Sequence, residues 1–166
     1  MLVVDDDVDA ATSLCTLLQC LGCEAACAFD RREALRLADV FGPEIAILDL
    51  EMPDADGCDV LRQLRDGEDA GSSVLHVCLT GSNSVENRHR CEAAGFDHFY
   101  GKPIRAQEIS ALLAEGASRR ARRAADPSIG SGGAAPPRGH AGASVGVDIT
   151  TPAPTRPGRG IRPRLT

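Results

Sequence analysis

Pro43-Glu44-Ile45-Ala46-Ile47-Leu48-Asp49-Leu50-Glu51-Met52-Pro53 is the stretch that decides the fold. Ile45 to Leu48 form an unbroken apolar run, the pattern of a strand covered on both sheet faces, and the run stops at a carboxylate, Asp49. Upstream, Gly42-Pro43 breaks a helix that Asp30 and Glu33 open as an N-cap and capping-box pair, with Ala34, Leu37, Ala38 and Phe41 on one face. Residues 23–29 read as a short strand before it. Further back, residues 8–21 carry Leu14, Leu17, Leu18 and Leu21 at the spacing of one core-facing helical stripe, ended by Gly22. The chain starts with a strand, Leu2-Val3-Val4, that stops at Asp5-Asp6-Asp7.

The alternation continues downstream. A loop over residues 53–57 leads to a helix with Val60, Leu61 and Leu64 inward, and a fourth strand over 74–79 ends at Thr80-Gly81. A polar helix over 85–94, a short strand over 97–100, Gly101-Lys102-Pro103 and a last helix bearing Ile109, Leu112 and Leu113 complete the pattern. Five strands alternating with five helices predict a doubly wound α/β domain with a five-stranded parallel sheet, because parallel neighbours need crossover connections. Ligands of such sheets bind beyond the carboxyl ends of the strands. Asp5, Asp6, Asp49, Thr80 and Lys102 all fall there.

Composition sets limits on function. Of 166 residues, 43% are apolar but only 3% aromatic, with no Trp, which argues against an aromatic-lined nucleic-acid or sugar platform. No run is long enough for a membrane span, and the first residues lack a signal-peptide pattern, so the expected location is cytoplasmic. The seven Cys then read as reduced, packing thiols, the Cys20-Leu-Gly-Cys23 spacing included. His76, His89, His98 and His140 read as surface or packing residues with no partner for metal or triad chemistry.

The net charge of −6 hides a split: residues 1–116 hold 22 acidic and 9 basic side chains, whereas 117–166 hold 2 acidic residues and 9 Arg. The expected organisation is therefore one domain over 1–116 and a basic, Gly/Pro/Ala/Arg-rich segment over 117–166 that extends the last helix and then runs disordered. Arg119 to Arg123 read as a solvated helix end, and without interleaved aromatics they speak against nucleic-acid binding.

Three carboxylates converging on one sheet edge repel one another by roughly 4 kcal/mol per pair at about 4 Å and an effective dielectric near 20. They call for a cation, and an all-oxygen donor set favours a hard one such as Mg²⁺, which retains sites for water and phosphate oxygens. One carboxylate can then attack phosphorus to form an acyl phosphate, with Lys102 as a second positive charge, the Thr80 hydroxyl as a donor and Gly81 leaving an open approach. Asp7 and Asp9, at a helix start, read as capping residues.

Leu2-Val3-Val4-Asp5-Asp6, Ile47-Leu48-Asp49-Leu50-Glu51-Met52-Pro53-Asp54, Leu79-Thr80-Gly81 and Lys102-Pro103 together resemble the response-regulator receiver domain of two-component signalling, over roughly residues 2–115. The resemblance implies a flavodoxin-like sheet of order 2-1-3-4-5 with helices on both faces. It implies Asp49 as phosphoacceptor, Asp5, Asp6, Asp49 and the Glu51 backbone carbonyl as Mg²⁺ ligands, and Lys102 paired with Asp49. It also implies Thr80 and Phe99 as switch residues and a cis peptide at Lys102-Pro103. The implied donor is a histidine kinase or histidine phosphotransfer protein. The implied readout is an unidentified downstream protein bound through the fourth-helix, fifth-strand and fifth-helix face, with a homodimer through that face left open. The implied chemistry is self-phosphorylation and slow autodephosphorylation in a signalling phosphoprotein, not enzymatic turnover. A first strand starting only three residues before Asp5 also fits a receiver cut from a hybrid kinase. An Asp-nucleophile phosphohydrolase of the haloacid-dehalogenase type fits less well, because that family puts its nucleophile on the first strand with a second Asp two residues on, where this chain has Glu51. A scaffold kept only for protein contact is disfavoured by the full set of key side chains.

Overall fold

The computed structural model describes residues 1–53, 55–68, 72 and 74–125. Its elements run β1 (Leu2–Val4), α1 (Val8–Cys20), β2 (Ala26–Ala28), α2 (Arg31–Phe41), β3 (Ile45–Asp49), β4 (Glu51–Met52), β5 (Ala55–Asp56), α3 (Gly57–Asp66), β6 (Leu75–Thr80), α4 (Val85–Ala94), β7 (His98–Gly101) and α5 (Ala106–Ala125). Five strands form a parallel sheet in the order β2-β1-β3-β6-β7, the expected 2-1-3-4-5 once the small β4-β5 hairpin is set aside. That hairpin, pairing Glu51 with Asp56 and Met52 with Ala55, falls where the sequence predicts a loop.

The two-residue period of each strand divides the core. Val3, Ile45, Ile47, Leu75, Val77 and Leu79 point to the face covered by Ala11, Cys15 and Leu18 of α1 and Ile109 and Leu112 of α5. Leu2, Val4, Ala46 and Leu48 point to the other, against Ala34 of α2 and Val60, Leu61 and Leu64 of α3. A third cluster, Leu50, Cys58, Cys78 and Cys91, seats α4. Both faces of β3 are therefore buried, which is why its sequence is continuously apolar.

The stripe expected on α1 is corrected. Leu18 is buried, but Leu17 and Leu21 stand 46% and 53% exposed, and the packed positions are Ala11, Cys15 and Leu18. Small side chains under the helix axis let it lie close to the sheet, so burial there follows Ala and Cys and not side-chain size. Capping is local and mostly acidic. The Asp7 carboxylate accepts from the Asp9 and Ala10 amides at 3.0 Å each, and the Asp30 carboxylate from the Glu33 amide at 2.7 Å. Glu33 returns its bond to the Phe29 amide at 3.2 Å, one residue before the position a capping box uses.

The last helix passes Gly116 and continues to Ala125, carrying the basic extension with it. Arg119 is not merely solvated: it pairs with Asp97 at 2.9 Å and Glu115 at 2.8 Å, while Arg120 reaches Glu44 at 2.7 Å. The segment expected to be disordered lies, from residue 126 onward, outside the described residues. Among the described residues no helix is long and apolar enough to cross a membrane.

Candidate functional site

Parallel pairing brings the expected residues to one edge. β1 and β3 run side by side with Val4 opposite Leu48, so Asp5 and Asp49 emerge together, and Asp49 closes β3 opposite Leu79 of β6. Thr80 ends β6 opposite Gly101 of β7, and the next amide, of Lys102, donates to the Thr80 carbonyl at 2.7 Å. Lys102 Nζ then lies 2.6 Å from Asp5 Oδ2 and 3.0 Å from Asp49 Oδ2. One carboxylate oxygen each from Asp5, Asp6 and Asp49 fall within 4.8 Å of one another. Asp5 and Asp49 are buried and Asp6 is exposed, giving a site closed from below and open to solvent on one side.

Electrostatics leaves this site unbalanced. Burial pushes the Asp49 carboxyl above its ordinary range, and the neighbouring Asp5 charge adds to that push against the pull of Lys102. Burial alone would lower the Lys102 ammonium, but its bonds to Asp5 and Asp49 hold it above the usual lysine value. One ammonium shared between two carboxylates, with a third beside them, leaves net negative charge in a partly dry pocket.

The remaining residues frame the site. Thr80 is fully buried, and its hydroxyl accepts from the Ser82 amide at 3.1 Å. No side chain stands over Gly81, where an added Cβ would meet open space. Phe99 is half-buried beneath the Arg88 guanidinium, 4.8 Å from its ring centre, and the Lys102-Pro103 peptide is cis. Glu51 is exposed and turned toward α4, where the Asn87 amide group donates to it at 3.1 Å. Arg90, one turn along from Asn87, pairs with Asp56. Asp54 lies outside the described residues.

Gly57 is a supporting residue that the sequence reading passes over as part of a loop. Its amide donates to the Leu50 carbonyl at 2.9 Å, and a Cβ there would drive into the Asp49 backbone carbonyl and come within 3.0 Å of Leu50 Cα. The α3 start is thereby pressed against the strand end that presents Asp49. Gly57→Ala is expected to cost about 1–3 kcal/mol, read as a lowered urea midpoint at unchanged slope. A midpoint equal to the parent's would show that the close approach is not needed.

The histidines are better partnered than their sequence context suggests. His98 Nε2 lies 2.7 Å from Glu115 Oε2. Buried His76 has Nε2 2.8 Å from Glu68 Oε1, though outside hydrogen-bond geometry, and burial pushes its imidazole down toward the neutral form. The expectation of packing thiols holds for Cys15, Cys58, Cys78 and Cys91, which are buried, but Cys20 is exposed. None of these groups reaches the carboxylate cluster.

A doubly wound parallel sheet with an acidic, lysine-bridged pocket at the carboxyl ends of β1 and β3 defines an α/β protein of the receiver class. The chain belongs to the response regulator receiver domain family, which it matches over residues 1–114. It is 39% identical over 114 residues to the transcriptional regulatory protein PrrA of Mycobacterium tuberculosis, an alignment covering 68% of this chain and 47% of PrrA. The chain thus spans about half the length of the curated relatives it matches. Among solved structures it is similar to the chemotaxis protein CheY4 of Vibrio cholerae, with a TM-score of 0.62 and 26% identity over 69% of this chain and 94% of that one. It is also similar to a Burkholderia pseudomallei response regulator solved with a phosphorylated aspartic acid, a calcium ion and citrate, with a TM-score of 0.61 and 26% identity over 75% of this chain and 72% of that one. The chain is therefore a signalling domain of two-component systems.

Proposed function

We propose that this domain is a phosphoacceptor switch in which Asp49 accepts a phosphoryl group from a histidine kinase or histidine phosphotransfer protein. The observation that carries this reading is the single Lys102 ammonium held between Asp5 and Asp49, with Asp6 alongside. The charge left over and the all-oxygen donor set fit Mg²⁺, which Asp5, Asp6, Asp49 and the Glu51 backbone carbonyl would hold. When bound, Mg²⁺ supplies positive charge to the oxygens of the transferred group. The chain's own residues do the rest. Asp49 is the nucleophile, Lys102 offers its ammonium to the new anion as it gives up the carboxylate, and the Thr80 hydroxyl, which donates to the Ser82 carbonyl at 3.4 Å, would turn from it to donate to the phosphoryl group. The Burkholderia relative, with its phosphorylated aspartic acid and calcium ion, supports both the modification and a divalent ion.

The switch would run through Thr80 and Phe99 to the face formed by α4, β7 and α5, where a downstream protein or a second copy docks. The working location is cytoplasmic, with the receiver over 1–116 and the basic Arg-rich segment over 117–166 beginning as a continuation of the last helix. The direct test incubates the chain with a small acyl-phosphate donor, with and without Mg²⁺, and weighs the intact protein. One phosphoryl group gained only with Mg²⁺ is the expected result. Multiple turnovers on a generic phosphate ester, which is no acyl-phosphate donor, would instead make the chain a phosphohydrolase.

Glu51 sets a second expectation. It sits two residues past Asp49 with its carboxylate held by Asn87, an anion at the rim that hinders water from reaching the acyl phosphate. Glu51→Asn is expected to speed decay of the phosphorylated form by about tenfold, or ~1.4 kcal/mol in barrier. Equal decay rates after donor removal would refute the role.

A further inference from the structure

We propose that Cys78 of β6 and Cys91 of α4 form a reversible disulfide that ties α4 to the strand carrying Thr80. The two sulfurs lie 3.1 Å apart, and both residues are essentially buried, at 0% and 1% exposure. A disulfide bond is about 2.05 Å long, so the sulfurs need to close by only about 1 Å. Cys91 also lines a surface cavity of about 220 Å³ between α4 and β7, together with Arg88, Phe96 and Phe99, whereas Cys78 does not line it. A small peroxide entering from this side would therefore meet Cys91 before Cys78.

The chemistry balances with a peroxide as two-electron oxidant. The Cys91 sulfur, giving up its proton, attacks a peroxide oxygen. The O–O bond breaks, Cys91 becomes a sulfenic acid, and water or an alcohol leaves with that proton. The Cys78 sulfur then attacks the Cys91 sulfur, the S–O bond breaks, and the hydroxide departs as water with the Cys78 proton. Burial pushes both thiols up, so the first step is slow and the pair stays reduced except under sustained oxidant. Once formed, the sulfenic acid has a partner already in contact, which favours the disulfide over further oxidation.

The position gives the bond a consequence. Cys78 precedes Thr80 by two residues on β6, and Cys91 follows Asn87 by one helical turn on α4. A covalent link there fixes the helix against the strand across an interface otherwise held by packing. This inference stands whether or not Asp49 is the phosphoacceptor.

The test treats the folded full chain with hydrogen peroxide and maps its peptides without reduction. The expected product is a protein lighter by two hydrogens, with a Cys78–Cys91 linked peptide that dithiothreitol releases. It should persist in Cys20→Ser and vanish in Cys91→Ser. Hydrogen exchange of α4 amides should slow about tenfold in the oxidised form and recover on reduction. A linkage of Cys20 to Cys23, Cys15 to Cys27 or Cys58 to Cys91 formed in place of the Cys78–Cys91 link in the unsubstituted chain would overturn the proposal. So would thiols at 78 and 91 that stay reduced until the protein is unfolded.

Discussion

Asp49→Asn is expected to abolish phosphoryl incorporation from an acyl-phosphate donor, leaving the intact mass unchanged under conditions where the parent gains one group. The effect should be complete and not graded, because a carboxamide has no anionic oxygen to attack phosphorus. Two neighbouring carboxylates are already engaged. Asp5 is buried and turned to Lys102 at 2.6 Å, with its other oxygen accepting from the Asp7 amide at 3.1 Å, and Asp56 is engaged by Arg90. The same substitution is expected to raise thermal stability in metal-free buffer at neutral pH. It removes a buried carboxylate whose desolvation, with the Asp5 repulsion added, outweighs its pairing with Lys102, and it leaves Lys102 paired with Asp5. A chain that loses phosphorylation and also loses stability would point to a folding defect and not a missing nucleophile. Phosphoryl gain in Asp49→Asn would move the acceptor to another residue.

Asp5→Asn should act on the metal and not on the nucleophile. Binding of Mg²⁺ to the folded chain is expected to raise its melting temperature in proportion to the logarithm of ion concentration above the dissociation constant. Removing a buried carboxylate from a three-carboxylate set should weaken that binding on the order of 100-fold, since a charge pair near 4 Å is worth roughly 4 kcal/mol before screening by water and salt. The measurement is a thermal-shift titration with MgCl₂ for the parent, Asp5→Asn and Lys102→Met. Lys102→Met should keep or strengthen the response, because it removes a cation that competes for Asp5 and Asp49. An unchanged Mg²⁺ response in Asp5→Asn would sink the assignment of this cluster as the metal site.

How much of this was legible beforehand depends on the kind of interaction. The apolar run Ile45–Leu48 and the carboxylates ending β1 and β3 could be read directly, because a strand buried on both faces permits no polar residue until it leaves the sheet. The alternation pointed to a parallel sheet and the resemblance implied its strand order, and with it the meeting of Asp5, Asp49, Thr80 and Lys102 at one edge. Leu17 and Leu21 misled, since periodicity reports that a helix is amphipathic but not how far it rolls on the sheet. That roll was settled by the small Ala11 and Cys15 beneath it.

Local chemistry, then, lies in the residues themselves: where strands start and stop, which helices are capped by Asp7 and Asp30, and which side chains can carry charge to the sheet edge. Contacts between segments far apart in the chain were decided only by the tertiary structure. Gly57 must be small because Asp49's carbonyl arrives from another element, Asn87 holds Glu51 across 36 positions, and Cys78 meets Cys91 because α4 packs on β6. Such pairings leave no periodic trace in sequence, because they depend on how two rigid elements close against each other and not on the spacing within either one.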